Sequence, residues 1–216
     1  VKTKKQKAIA ATCAVAFWLL VWHVVSLCVG SELVLVSPVK VVQTLFTVIF
    51  DPDFLKTVWY SAARILGGFF IALTLGTVLG WVASRFWVVE TLLRPITAVI
   101  KATPVASFII LVLLWFSGKN LSVIISMLMV FPVIYMNVLE GIRSADEKLL
   151  EMAQVFRLSV GKKLLYIYLP AVAPFFVSAC SVSLGLCWKS GIAAEVIGTP
   201  DGSIGCLLYT SPSPRD

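Results

Sequence analysis

Few side chains in this sequence have both the type and the setting to do chemistry, and three of them are charges in apolar surroundings. Arg64, Lys189 and Glu195 lie within or beside long runs free of other ionisable groups, and an unpaired charge in hydrocarbon is costly. Such groups either pair to hold helices together or line a path for a charged solute, so all three are translocation-path candidates. Arg64 and Lys189 have stems long enough to snorkel to an aqueous interface, and Arg64 reads first as a structural pairing. Lys189 lies in CWKSGIAAEVIG, where small neighbours suit a helix bordering either a packed interface or a cavity. Glu195 follows it by six residues, too far around a helix for a simple i,i+4 pair. A cationic path would suit an anionic solute.

Other chemistries are poorly supplied. His23 stands alone, with no second His, Cys or carboxylate at ligand spacing, so it reads as a helix-contact histidine and no metal site is expected. The five cysteines form no CxxC pair and fall mostly in apolar runs, as small buried hydrophobes do. Gly118, Lys119 and Asn120 lack the upstream glycine and the hydroxyl residue of a phosphate-binding loop. HExxH and GxSxG are absent too, so no enzyme is expected and no cofactor is assigned to this chain.

The elements that must position these residues are set by hydrophobicity. The chain has 216 residues, of which 59% are hydrophobic and 13% charged, about half the usual charged share of a soluble domain. Asp, Glu, Lys and Arg are missing over 8–31, 65–84, 102–118, 120–139 and 164–188. Since about 20 residues cross a hydrocarbon core of about 30 Å, five membrane-spanning helices are expected. Barrel strands would alternate apolar and polar residues, and no such alternation occurs.

The net charge of +7 comes from basic residues at the ends of these runs, without a basic and aromatic groove for nucleic acid. Their distribution places the amino terminus and the 143–170 loop in the cytoplasm. A signal peptide is the competing reading of residues 1–30, but the apolar run is too long for one. The segment 31–56 reads as an extracytoplasmic amphipathic helix, starting at Ser37-Pro38 and stopping at Asp51-Pro52. Gly68, Ala72, Gly76 and Gly80 share one face of the second span and form a groove for close helix packing. Pro95 and Pro104 in the third span can each kink or break it.

One stretch breaks the apolar pattern: EMAQVFRLSVGKKLLYIYLP, residues 151–170. Ahead of it, Ser144 and Glu147 have capping-box spacing, which predicts a helix from about Ala145. Leu149, Met152, Ala153 and Phe156 then share an apolar face, with Glu147, Lys148, Glu151 and Gln154 opposite. Ser159 can cap a second helix that carries Lys162 and Lys163 and ends at Pro170. The apolar face needs a cover, either another protein or lipid headgroups.

With Glu151, Ala153 and the closing Ile167-Tyr168-Leu169-Pro170, this stretch resembles the EAA loop of membrane-spanning subunits of ATP-binding-cassette (ABC) importers. SPVKVVQTL, SAARILGGFFIALTLGTVLG, ATPVASFIILVLLWF and LGLCWKSGIAAEVIG are similar to segments of the nitrate/sulfonate/taurine-type importer permeases, over roughly residues 30–205. The resemblance implies an all-α polytopic type I ABC importer transmembrane domain in a bacterial inner membrane, with five of an expected six spans. It implies a separate ATP-binding-cassette ATPase that binds ATP-Mg, a second permease copy, an extracytoplasmic solute-binding protein, and a small anion such as nitrate, sulfonate or taurine as solute. Glu151, Met152, Ala153, Phe156, Arg157, Ser159 and Gly161 would be the ATPase-coupling residues. An ion-coupled secondary transporter is the alternative.

Two residues depart from the pattern. Met152 stands where it has alanine, and Arg157 where it has a turn glycine. Because arginine is disfavoured in a left-handed turn, the turn is expected to shift toward Ser159 and Gly161, or the first helix to run one residue longer. The expected organisation is a basic start and first span at 1–30, the amphipathic segment at 31–56, a truncated permease core at 57–205, and a tail at 206–216. That tail, CLLYTSPSPRD, matches a translated sequencing-adapter sequence and reads as an artefact, with the natural chain continuing past Gly205.

Overall fold

Apolar runs without water must satisfy their backbone groups internally, and in the computed structural model every regular element among the described residues is helical. Residues 1–3, 31–34, 117 and 211–216, which include part of the basic start and most of the expected artefact tail, lie outside the described residues. The chain divides into two units, Val1–Leu55 and Lys56–Asp216.

In the first unit, α1 (Lys4–Val29) includes a span-length apolar helix, and α2 (Pro38–Val48) is the expected amphipathic one. Ser37 caps α2, its side chain accepting from the Lys40 amide at 3.4 Å, with Pro38 in the first turn. The Ser26 hydroxyl donates to the Leu35 carbonyl at 3.0 Å, and His23 shares a groove with Pro38 and Val39. Asp51-Pro52 does more than stop α2: Pro52 opens the next helix, α3 (Pro52–Arg85).

The second unit is built on α3, α6 (Gly118–Arg143) and α9 (Leu169–Gly198). Gly68, Ala72, Gly76 and Gly80 are all buried, and they let α3 lie directly on the backbone of α6. A methyl at Gly76 would stand 3.0 Å from Ile134 Cβ and 3.1 Å from the Tyr135 nitrogen. Ile65, Phe69, Val130, Ile134, Val138 and Ala179 fill the core beside this stripe.

The expected third span is broken. Helices α4 (Trp87–Ala102) and α5 (Val105–Trp115) meet at 109°. The break falls at Pro104 because the residue before a proline is pushed out of the helical region, and Thr103 is extended at φ −88°, ψ 133°. Pro95 stays inside α4. Among the described residues, four helices are thus long and apolar enough to cross a membrane, or five if the bent pair counts as one span.

Pro170 does not end a helix as expected. One apolar helix runs from Val160 to Gly198 over 39 residues, through α8 (Val160–Lys163), a π-helical turn (Leu164–Tyr168) and α9. Proline cannot donate and crowds the carbonyl four residues back. The widened turn just ahead of Pro170, where the Leu169 amide reaches back to the Leu164 carbonyl, absorbs that mismatch without breaking the rod. A short α10 (Ile204–Thr210) follows and takes in residues 206–210 of the tail.

Candidate functional site

The loop between α6 and α9 is organised by helix ends. Helix α7 (Glu147–Val155) is capped by Asp146, whose side chain accepts from the Lys148 amide at 2.9 Å. Ser144 is therefore not the cap predicted from its spacing to Glu147. Its amide still bonds the Glu140 carbonyl in the last turn of α6, and its hydroxyl donates to the Gly141 carbonyl at 2.8 Å. Asp146 is the first side chain free to serve α7, and its charge also suits a helix amino terminus.

Ala153 is fully buried, in a small core with Ala145 and Ile167 that Leu150, Leu158 and Ala171 complete. The expectation that it shares a face with Met152 and Phe156 is corrected: it sits at the edge of that face and turns inward. What faces out is Leu149, Met152, Val155 and Phe156, with Val160 just beyond. Val155 and Val160 are 79% and 74% exposed, as open as Phe156 at 71% and more so than Met152 at 46%, so two residues that the motif did not single out belong to the patch. The spacing of Val155 to Met152 could have found it. Glu151 is exposed beside the patch.

Arg157 makes the turn itself. It stands at φ 48°, in the left-handed region, and both expected detours are absent. The Leu158 amide bonds the Ala153 carbonyl at 2.9 Å and the Arg157 amide bonds the Gln154 carbonyl at 3.0 Å. This is the paired-bond Schellman ending of a helix, with arginine in the position glycine normally takes. The two bonds satisfy carbonyls that would otherwise be orphaned, which holds Arg157 against its preference. Ser159 is extended and begins α8 through its carbonyl, which accepts from the Lys163 amide at 3.0 Å, but its hydroxyl makes no cap. Gly161 is an ordinary helical residue with open space around it.

Among the path candidates, Glu195 is fully buried and faces packed protein. The Ser61 hydroxyl donates to its Oε2 at 2.6 Å and accepts from the Ile204 amide at 2.9 Å, joining α3, α9 and the start of α10; Oε1 has no partner. Arg64 donates to the Tyr60 hydroxyl at 2.6 Å and stands 5.0 Å from that ring's centroid, a cation–π contact within α3. Lys189 is exposed on α9. No ion pair joins the three among the described residues.

Sequence reasoning missed two further features. Ser122 and Ser126 on α6 and Ser183 and Ser190 on α9 are buried, and the Ser126 and Ser190 hydroxyls both donate to the Cys187 carbonyl at 3.3 Å. The four-residue interval between Ser122 and Ser126 was a legible signal. Arg143, at the end of α6, pairs with Glu90 on α4 at 2.5 Å; 53 residues separate the partners, so nothing local announced it.

The chain is similar to known membrane transport proteins. Residues 68–212 match the family described as binding-protein-dependent transport system inner membrane component. The chain is 30% identical over 185 residues to SsuC of Bacillus subtilis, a permease named for aliphatic sulfonates, covering 84% of this chain and 67% of that protein. It is 27% identical to the taurine transport system permease protein TauC of Escherichia coli, covering 84% and 68%. With the nitrate import permease protein NrtB of Synechococcus elongatus it shares 26% identity, covering 89% and 72%.

Proposed function

The chain belongs to the binding-protein-dependent transport inner membrane components, the permease subunits of ABC importers, and from that membership we propose that α7 couples it to a separate ATPase subunit. The observation that carries this is the outward patch of Met152, Val155, Phe156 and Val160 on a helix capped at both ends. Exposed apolar side chains on a short, internally packed helix are suited to a hydrophobic cleft. Ala153 locks the helix to the π-helical turn ahead of α9 through Ile167, so a push on α7 reaches the membrane-spanning rod. Glu151 supplies charge at the rim of the contact.

The ATPase binds ATP-Mg, an extracytoplasmic binding protein delivers the solute, and two permease copies form the path. The 143–170 loop and the amino terminus lie in the cytoplasm, as the basic residues at 143–163 support. The solute is a small anion: the names of the relatives concern sulfonates, taurine and nitrate, and Lys189 offers an exposed cation late in α9.

Co-purification of the ATPase subunit with the full-length permease tests the coupling surface. Phe156→Asp should lower recovery at least about 30-fold, as loss of an interface hot spot does, while leaving membrane insertion intact. Undiminished recovery would refute the docking role. Uptake into proteoliposomes that requires ATP and an added ATPase subunit distinguishes this reading from an ion-coupled secondary transporter.

A further inference from the structure

We propose that a groove between α3, α6 and the α8–α9 rod binds one anionic phospholipid of the cytoplasmic leaflet. The inference rests on the placement of the 143–170 loop in the cytoplasm. The upper part of the groove, about 370 Å³, is walled almost entirely by apolar groups, among them Val138, Leu165, Leu169 and Val172. It adjoins a second cavity of about 430 Å³ that shares Trp81, Ile142, Leu164 and Tyr168 and adds Ser84, Arg85 and Lys163, with Val160 at its border with the outward patch of α7. Going from Thr77 to Arg85 along α3, a distance of about 12 Å, the walls change from hydrocarbon to cationic.

The mouth is basic and unneutralised. Among the described residues neither Arg85 nor Lys163 has an ion-pair partner, and the carboxylate of Glu90, on the helix that follows Arg85, is paired with Arg143. Trp81 and Tyr168 lie where the two regions meet, the level at which amphipathic rings settle at a membrane surface. A soluble anion would use the two cations but not the apolar extension, and an uncharged apolar partner would use the extension and leave two cations unpaired. A molecule with an acyl chain and an anionic headgroup satisfies both.

The test uses the full-length permease purified with its ATPase subunit, delipidated in detergent, and given equal amounts of phosphatidylglycerol and phosphatidylcholine with identical chains. Native mass spectrometry should show one phosphatidylglycerol retained per permease copy in preference to phosphatidylcholine. Each cation removed should cost about fivefold in retention, so Lys163→Gln alone lowers it measurably and Arg85→Gln with Lys163→Gln lowers it by an order of magnitude or more. Lys119→Gln, at the other end of α6, should change nothing. Phosphatidylglycerol with brominated chains should quench wild-type fluorescence more than that of Trp81→Phe. Equal retention of the two lipids, or retention unchanged in the double variant, overturns the site. So does efficient crosslinking of Leu165→Cys to a second copy, which would make the groove an interface between copies. ATP-driven uptake by the same complex is read separately: uptake without selective lipid retention removes the lipid site and leaves the permease reading standing.

Discussion

Arg157 adopts φ 48° at the end of α7 because two backbone bonds, from Leu158 to Ala153 and from Arg157 to Gln154, require it. A residue with a Cβ pays about 1–2 kcal/mol for that conformation, whereas glycine adopts it freely. Arg157→Gly removes the strain but gives the unfolded turn more freedom, which returns about 0.5–1 kcal/mol. The net expectation is that the turn becomes more stable by about 0.5–1 kcal/mol, or about two- to fivefold in its local opening equilibrium. Amide hydrogen exchange at Leu158 measures that opening directly, since its amide bonds the Ala153 carbonyl across the turn. Exchange should slow two- to fivefold in Arg157→Gly and should not slow in Arg157→Ala, which discards the charge and keeps the strain. If the alanine variant slows exchange as much as the glycine variant, the charge and not the backbone destabilises the turn, and the reasoning fails.

The glycines of α3 make a prediction of opposite signs. Gly76→Ala places a methyl 3.0 Å from Ile134 Cβ and should destabilise the α3–α6 contact by about 1–3 kcal/mol, whereas Gly67→Ala meets nothing within 4 Å and should stabilise the helix by about 0.5–1 kcal/mol; melting in detergent compares them. Ser61→Ala leaves both carboxyl oxygens of buried Glu195 without a partner and should cost about 1–3 kcal/mol. Glu195→Gln keeps an acceptor for Ser61 and should cost less, a ranking that thermal unfolding of the two variants checks. Ala153→Leu should overpack the small core with Ile167 and cut ATPase co-purification, although Ala153 itself is buried.

The helical class and the close approach of α3 to α6 were legible because each rests on local spacing: charge-free runs of span length, and Gly68, Ala72, Gly76 and Gly80 at four-residue intervals. The position of α7 was legible for the same reason. Errors arose where two local rules competed. Ser144 fits a capping box, yet α6 runs on to Arg143 and claims it, so Asp146 caps instead. Prolines 95, 104 and 170 look alike in sequence, but only Thr103, before Pro104, takes the extended conformation that turns the chain. Arg157 was expected to refuse a left-handed turn on intrinsic preference, and the two bonds that override that preference involve the course of the chain on both sides of it. Glu195 and Ser61 are 134 residues apart, so their pairing belongs to the tertiary fold and no spacing rule reaches it.

The continuity of the last rod determines how a displacement at the loop can be used. Val160 on the outward patch and Glu195 in the buried node lie on the same unbroken helix, about 52 Å apart at the rise of an α-helix. A helix of that length moves nearly as a rigid body, so what happens at α8 is felt at the Ser61–Glu195–Ile204 junction unless the rod bends. Its weakest points are the π turn and the two prolines that follow, Pro170 and Pro174, where backbone bonds are already widened or missing. All of these lie at the end nearest α7, leaving the stretch through Ala179, Cys187, Ser190 and Ala194 regular and packed. A push at the patch therefore divides into bending at Leu164–Pro174 and rigid tilting beyond it. Because Ala153 clamps α7 against Ile167 inside that same turn, the clamp stiffens the one segment where the motion would otherwise be lost.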